Sequence, residues 1–144
     1  LAGRNRAAAR RVLQALTNST DTRVAHLANC QLWRSQVVQA DAQRLRQWQA
    51  QLQKIPRVVR FGAYFTVAQG LARQERYRDA ALAFMRVPIH YPRNRPLAAA
   101  ATFAAAEQMR QAKMKGWEQL MRDVATRYPE SPQAARVRQT AGGR

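Results

Sequence analysis

Apolar residues recur every three or four positions along most of the chain, which is the spacing of one face of an α-helix. Phe61, Tyr64, Phe65 and Ala68 follow this rule, and a second stripe starts at Leu97. Ala, Gln, Arg and Leu dominate the composition, and these residues favour helices over strands. The sequence therefore predicts an all-α fold.

Three apolar runs end in the same way, with a tyrosine or isoleucine followed by a proline: Ile55-Pro56, Tyr91-Pro92 and Tyr128-Pro129. Pro92 lies 36 residues after Pro56, and Pro129 lies 37 residues after Pro92. A proline lacks the backbone N–H and disfavours helical geometry in the residue before it, so each pair is expected to end a helix. A regular period of this length indicates an internal repeat.

The residues 4, 8 and 12 positions before each stop are predicted to share one packed helix face. Counting also from Thr20, one period before Pro56, these residues are Leu16, Val12 and Ala8; Leu52, Trp48 and Arg44; Pro88, Phe84 and Ala80; and Ala125, Met121 and Trp117. Leu45 is expected to cover the position that Arg44 interrupts. A second amphipathic segment precedes each of the last three stripes across a short polar turn, so the predicted unit is helix, turn, helix, stop.

One domain is predicted to span residues 1–144. It would contain repeats over about 22–56, 60–92 and 96–129, an unpaired helix over about 4–16, and the start of a further helix over about 132–140. Because the chain lacks an initiator methionine and begins and ends within a repeat, we expect it to be a segment of a longer repeat protein.

Two prolines predict where individual helices end or begin. Pro88 is expected to kink or end the second helix of the middle repeat near Val87, because its ring would clash with the Phe84 carbonyl. Ser131-Pro132 has the order of a helix N-cap followed by a first-turn proline.

The middle repeat resembles the tetratricopeptide repeat family. The matching residues are Tyr64, Val67, Ala68, Leu71, Tyr77, Ala80, Phe84 and Pro92. The longer period and the ending at Tyr128-Pro129 are most similar to the bacterial envelope branch, which includes outer-membrane assembly lipoproteins and the periplasmic coordinator of the Tol-Pal system. The resemblance implies a right-handed α-solenoid, a protein-binding role and a location in the bacterial periplasm or cell envelope. Gln31, Arg44 and Trp117 depart from the family pattern, because small or apolar residues are usual there.

The chain carries 25 Lys and Arg against 8 Asp and Glu, for a formal charge of +17. Residues 1–60 hold 11 basic and 2 acidic groups, and residues 61–144 hold 14 and 6. Such a charge attracts nucleic acid, anionic lipid or an acidic protein. Arginine is also a well-solvated helix-surface residue, and the even spread of these residues agrees with that role. Nucleic acid is therefore a secondary candidate partner.

Candidate chemistry is sparse. The lone Cys30 has an apolar setting and is expected to be a buried, inert thiol. His26 and His90 have no ligand-type residue at metal-binding spacing, and no serine lies in a glycine elbow. The longest charge-free stretches, 61–72 and 96–106, are shorter than the ~20 residues of a membrane helix. We expect no enzyme activity, no cofactor, no metal and no transmembrane segment.

The first helices of such repeats line an inner wall, and their outward positions form the predicted groove. Its residues are Asn29, Trp33, Gln36, Phe65, Gln69, Arg73, Thr102, Met109 and Arg110. Aromatic, amide and arginine side chains suit an extended acidic peptide. The expected function is a non-catalytic protein-binding scaffold. Two alternatives stay open: further repeats or a partner domain cover this wall, or the chain is a basic structural subunit of a ribonucleoprotein or large assembly that contacts phosphates through its scattered arginines.

Overall fold

Helices make up the regular structure of the chain. The computed structural model describes residues 2–142, and within this range it contains eight α-helices, two 3₁₀ turns at Val37–Gln39 and Arg57–Val59, and no strand. The helices are α1 (Ala2–Leu16), α2 (Thr22–Gln36), α3 (Ala42–Leu52), α4 (Phe61–Arg73), α5 (Tyr77–His90), α6 (Arg95–Gln111), α7 (Trp117–Arg127) and α8 (Pro132–Gly142). The predicted all-α class is confirmed.

The chain divides into two compact units, one ending at Val67 and the other starting at Ala68. The boundary falls inside α4, so the first unit holds α1 to α3 with the start of α4. The second unit holds the rest of α4 with α5 to α8. The single repeat domain inferred from the sequence stays a prediction.

A stacked pair of indoles joins α2 to α3 in the first unit. The ring centroids of Trp33 and Trp48 are 5.2 Å apart and their planes differ by 13°. Both side chains are buried, as are Leu45 and Leu52 on the same side of α3. Such a pair adds about 0.5–1.5 kcal/mol beyond the burial of its area. Leu45 occupies the stripe where Arg44 interrupts it, as expected.

The two carboxylates of the first unit cap its helices. Asp21 Oδ1 accepts hydrogen bonds from the backbone N–H groups of Arg23 at 2.8 Å and Val24 at 3.3 Å. Asp41 Oδ1 accepts from the N–H of Arg44 at 2.7 Å. The first N–H groups of a helix have no partner within it, so these contacts stabilise the starts of α2 and α3.

The stripe on α1 is not packed, contrary to the prediction. Val12 is 59% exposed and Leu16 is 39% exposed, and Ala8 is exposed as well. Between residues 5 and 16, only Leu13 is partly buried. Adjacent residues lie about 100° apart around a helix, so α1 can meet α2 near Leu13 and still leave the side with Val12 open.

Small residues bring the helices of the second unit together. In this unit α6 packs against α5, α7 and α8. The fully buried residues of α6 are mostly alanines: Ala98, Ala99, Ala101, Ala105 and Ala106. Tyr128 packs on Ala98 and Ala99, while Phe103 forms a cluster with Val124 and Ala134. Alanine faces let helices approach closely, and the aromatic rings fill the remaining space.

The second unit builds the same helix ending twice. At the end of α4, Glu75 has φ 58°, and the N–H of Arg76 donates to Leu71 O at 3.0 Å. At the end of α6, Lys113 has φ 53°, and the N–H of Met114 donates to Met109 O at 2.9 Å. A left-handed residue followed by a bond to the carbonyl five residues back is a Schellman cap, which satisfies carbonyls that the helix leaves open.

The stops after α5 and α7 also share the same backbone geometry. Tyr91 has φ −132° and ψ 52°, and Tyr128 has φ −130° and ψ 52°. Their N–H groups donate to Val87 O at 2.8 Å and Val124 O at 3.1 Å. The 37-residue spacing of the two Tyr-Pro pairs thus corresponds to a repeated backbone conformation.

A side chain caps the start of the helix that follows each of these stops. Asn94 Oδ1 accepts from the N–H of Leu97 at 3.4 Å, and Ser131 Oγ accepts from the N–H of Ala134 at 3.1 Å. Pro132 follows as the first residue of α8. Ser131 and Pro132 agree with the predicted cap-and-proline order, because a proline in the first turn loses no helical hydrogen bond.

The prediction for Pro88 is wrong, because α5 runs without a break from Tyr77 to His90. The proline lies in the last turn of the helix. The N–H of Tyr91 still reaches Val87 O at 2.8 Å, so a hydrogen-bonded turn closes across it. The helix therefore ends at His90, with Tyr91 as its C-cap next to Pro92, rather than near Val87.

Arg95 joins the start of α6 to the end of α7. Its Nη2 donates to Arg127 O at 2.7 Å, its Nε donates to Glu130 Oε1 at 2.9 Å, and its guanidinium lies 5.4 Å from the ring centroid of Tyr128. The backbone N–H of Glu130 and then the bond from Arg95 hold the pKa of that carboxyl below its usual value. The side chains are exposed, so this contact orients the turn more than it stabilises it.

We expect truncation to destabilise the protein most at buried rings. Phe84 is 3% exposed, so Phe84→Ala should lower the free energy of unfolding by about 3–5 kcal/mol. Gln69→Ala, at an exposed position, should be nearly neutral. Urea unfolding followed by circular dichroism measures both. The reverse order would show that the assignment of buried and exposed faces is inverted.

The two Schellman caps make a separate prediction. A glycine at a left-handed position avoids a backbone strain of roughly 1–2 kcal/mol in the folded state. It also gives the unfolded chain more conformational entropy, which lowers the free energy of unfolding by roughly 0.4–1 kcal/mol. Glu75→Gly and Lys113→Gly should therefore leave the free energy of unfolding unchanged or raise it by up to about 1.5 kcal/mol. Gln47→Gly, at an exposed position inside α3, should lower it by about 0.5–1 kcal/mol. Equal losses in all three variants would contradict the left-handed conformation.

Candidate protein-binding surfaces

The part of the predicted groove on α2 is largely covered. Trp33 is 5% exposed because it stacks on Trp48, so it cannot reach a peptide, and its assignment to the groove is wrong. Asn29 is half-buried and its Nδ2 donates to Ala25 O at 3.1 Å. Gln36 is half-buried at the end of the helix. The side of α2 that carries Trp33 packs on α3 rather than lining an open wall.

On α6, the three predicted residues have different environments. Thr102 is 4% exposed and donates to Ala98 O at 2.8 Å, so its placement in the groove is wrong. Met109 is half-buried beside the turn to α7, where a Cβ on Gly116 would lie 3.8 Å from Met109 Cε. Arg110 is exposed, with its guanidinium 5.8 Å from the ring centroid of Trp117. Of these three residues, only Arg110 is exposed.

The predicted residues of α4 are spaced by four. Phe65 is half-buried, whereas Gln69 and Arg73 are exposed. Phe65 belongs to the first unit, and the other two belong to the second. Of the nine predicted groove residues, Gln69, Arg73 and Arg110 are the exposed ones, and all three lie in the second unit.

The turn between α6 and α7 brings several basic side chains close together along the chain. Arg110 lies in the last turn of α6, Lys113 and Lys115 follow in the turn to α7, and all three are exposed. Gly116, with φ 90°, occupies the N-cap of α7 without a side-chain bond to the helix start. A residue with a Cβ would be strained at that φ. The sequence reasoning placed Arg110 in the groove but assigned these lysines no role.

A partly exposed stripe on α6 was also missed. It consists of Leu97, Ala100, Ala104 and Gln108, which follow helical spacing. Within the described residues, Gln108 Oε1 is buried and has no hydrogen-bond partner. Sequence analysis recognised an apolar stripe starting at Leu97 but did not separate its partly exposed residues from the buried ones. Alanine occurs on every side of α6, so its pattern does not separate the fully buried alanines from the partly exposed ones.

Most of the exposed large apolar side chains lie outside the helices of the predicted groove, and Leu27 on α2 is the exception. The exposed residues are Val12, Leu16, Leu27, Val38, Val58, Leu82 and Ile89. Leu82 and Ile89 are seven residues apart on α5 and therefore share a face, which also carries Arg86.

The thiol of Cys30 lies in an apolar environment. Its residue is 5% exposed, and loss of hydration on burial raises the pKa of the thiol from 9.0 to about 11, with a smaller opposing effect from a backbone hydrogen bond. At neutral pH the sulfur is protonated and is a poor nucleophile. This environment agrees with the expected buried, inert thiol.

Two further structural findings concern residues 2–142. No three histidine, cysteine or carboxylate side chains there are grouped so that they could hold a metal ion. No helix in this range combines the length and the apolar character needed to cross a bilayer.

Ion pairs use several of the carboxylates in the second unit. Arg76 Nη2 lies 2.6 Å from Asp79 Oδ2, and Arg95 Nη2 lies 2.8 Å from Glu130 Oε1. Since this unit holds 14 basic and 6 acidic residues, a positive surplus remains after every carboxylate is matched. An acidic ligand therefore meets an attractive field at this unit.

No family model, curated protein or solved structure matches this chain. Its function has to be inferred from its own residues and their arrangement.

The environment of Cys30 predicts slow thiol labelling. A pKa near 11 instead of 9.0 lowers the thiolate fraction about a hundredfold at pH 8, and burial slows access further. Native protein should therefore react with a thiol reagent at least about a hundredfold more slowly than protein in denaturant. A Cys30→Ala/Ser35→Cys variant, which moves the thiol to an exposed position on the same helix, should react rapidly. Fast labelling of native Cys30 would contradict its burial.

Proposed function

We propose that the chain is a non-catalytic scaffold of tetratricopeptide type, a stack of helix pairs that binds another protein. The observation that carries this proposal is the repeated construction of the second unit. The Schellman caps at Glu75 and Lys113 and the stops at Tyr91 and Tyr128 have matching geometries about one period apart. Repeated helix pairs generate extended surfaces suited to binding other proteins.

The proposed contact residues are Gln69, Arg73 and Arg110, the exposed members of the predicted groove within the second unit. Arginine presents planar paired donors that match carboxylates and is enriched among the residues that dominate binding energies. The half-buried stripe on α6 adds apolar area. This combination suits an acidic peptide or an acidic face of a protein. A bacterial cell-envelope location rests on the family resemblance alone.

The charge of the first unit favours a second candidate, a basic structural subunit of a ribonucleoprotein or large assembly. Residues 1–60 hold 11 basic groups and only 2 acidic ones, and Asp21 and Asp41 both cap helices. Phosphates would then be the counter-charges of the exposed arginines. Such binding falls steeply with salt, because each phosphate contact releases a counterion.

Paired arginine substitutions test the favoured function. Arg73→Ala/Arg110→Ala removes two arginines from the proposed contact surface, whereas Arg86→Ala/Arg122→Ala removes two exposed arginines from α5 and α7. Both variants lose the same charge. Immobilised full chain is incubated with extract of its source cells at about 0.15 M salt, and the recovered protein and RNA are quantified.

The favoured function predicts that one protein is recovered and that the Arg73/Arg110 variant loses at least about tenfold more of it than the control variant does. It fails if the Arg86/Arg122 variant is the more damaged. It also fails if RNA is the main species recovered, with a steep decline between about 50 and 200 mM salt. That last result would support the basic structural subunit.

A further inference from the structure

The α1 helix has an apolar stripe that the described structure leaves open. Ala8, Val12 and Leu16 are spaced by four, and all three are exposed. Val12 is 59% exposed and Leu16 is 39% exposed. At 1.5 Å per residue, the stripe runs about 12 Å along the helix. We call these three residues the α1 stripe.

This helix has little to stabilise it within the chain. Between residues 5 and 16 no side chain is buried, and Leu13 alone is partly buried. Isolated helices of up to about 12–15 residues are marginal in water, since most helical stability comes from packing an apolar face. A partner that covers the α1 stripe would therefore also stabilise α1.

The charge around the stripe restricts what can cover it. Arg6, Arg10 and Arg11 on α1 are exposed, and no carboxylate occurs in the first 20 residues. The first carboxylate side chain of the chain, Asp21, accepts hydrogen bonds from backbone N–H groups at the start of α2. These arginines lie within about one Debye length of the stripe on a helix of about 10 Å diameter. A partner with carboxylates beside its apolar face would complement both features.

Two other occupants fit less well. A second copy of the chain would bring α1 arginines against α1 arginines, and each chain has a formal charge of +17. A lipid surface favours helices with Trp, Phe or Leu across a broad apolar face, whereas this stripe consists of one alanine, one valine and one leucine.

We propose that the α1 stripe docks an acidic amphipathic α-helix of another protein. Ala8 allows close approach of the partner backbone, and Val12 and Leu16 insert between its side chains as a ridge enters a groove. Glutamates beside the partner's apolar stripe lie in the attractive field of the arginines of α1. This site lies in the first unit and goes beyond the function proposed for the second unit, so either proposal can fail without the other.

A defined peptide tests this docking. The probe is a fluorescent, stapled helical peptide with one leucine stripe at i, i+4 spacing and glutamates on both sides, and its counterpart carries lysines in place of the glutamates. Fluorescence anisotropy with the full chain at about 0.15 M salt gives the affinity of each. We expect the glutamate peptide to bind, the lysine peptide not to bind, and amide exchange in α1 to slow when the glutamate peptide is present.

Matched variants locate the site. Val12→Gln/Leu16→Gln removes the apolar side chains of the stripe, whereas Val38→Gln/Val58→Gln removes two valines that are 62% and 68% exposed elsewhere in the first unit. Neither variant changes the charge. The stripe variant should weaken binding at least about tenfold, and the control by no more than about twofold. Ala8→Gln, which adds bulk while retaining Val12 and Leu16, should also weaken binding and covers the case in which the double variant loses helix.

Four results would overturn the proposal: failure of the glutamate peptide to bind, equal losses in the two double variants, equal binding of the lysine peptide, or no effect of Ala8→Gln. Stripe-dependent binding to phosphatidylserine vesicles without peptide binding would assign the surface to a membrane instead. A stripe-dependent dimer in analytical ultracentrifugation, again without peptide binding, would assign it to a second copy.

Discussion

A proline offers no backbone donor and disfavours helical geometry in the residue before it. The structure of the second unit depends on how the chain ends its helices before such prolines. Tyr91 and Tyr128 adopt nearly the same non-helical φ and ψ, and each donates its N–H to the carbonyl four residues back. Asn94 and Ser131 then cap the next helix. Both stops send the chain onward through the same conformation, and within this unit alanine-rich α6 packs against α5, α7 and α8.

The excess of basic residues, in contrast, is not required by the fold. The carboxylates Asp21, Asp41, Asp79 and Glu130 have local structural roles at helix starts or turns. The exposed ion pairs of Asp79 and Glu130 contribute little to stability, so the arginine surplus is not needed to hold the helices together. A surplus that the fold does not use is available to attract acidic partners, and both proposals for binding depend on it.

The order and approximate limits of the helices could be predicted because they follow from local rules. Proline at Pro92 and Pro129, a cap at Ser131 and helical spacing of apolar residues act within a few positions of the chain. The buried and exposed faces of the helices were harder to predict. Trp33 and Thr102 were assigned to an open wall but are buried, whereas Val12 was assigned to a packed stripe but is exposed. Helical spacing shows which residues share a side, and only the neighbouring helices determine which side is covered. Pro88 was misjudged because its effect depends on how near the helix end it lies.

The central claim is that the second unit builds one pair of helix endings twice. Amide hydrogen exchange of the native protein, resolved by nuclear magnetic resonance, tests it most directly. The N–H groups of Arg76 and Met114 close the two Schellman caps, and those of Tyr91 and Tyr128 close the two stops. The account predicts that all four exchange much more slowly than unstructured peptide, with similar protection within each pair. Exchange at the unstructured rate by one member of a pair, while the other is protected, would contradict the repeated construction.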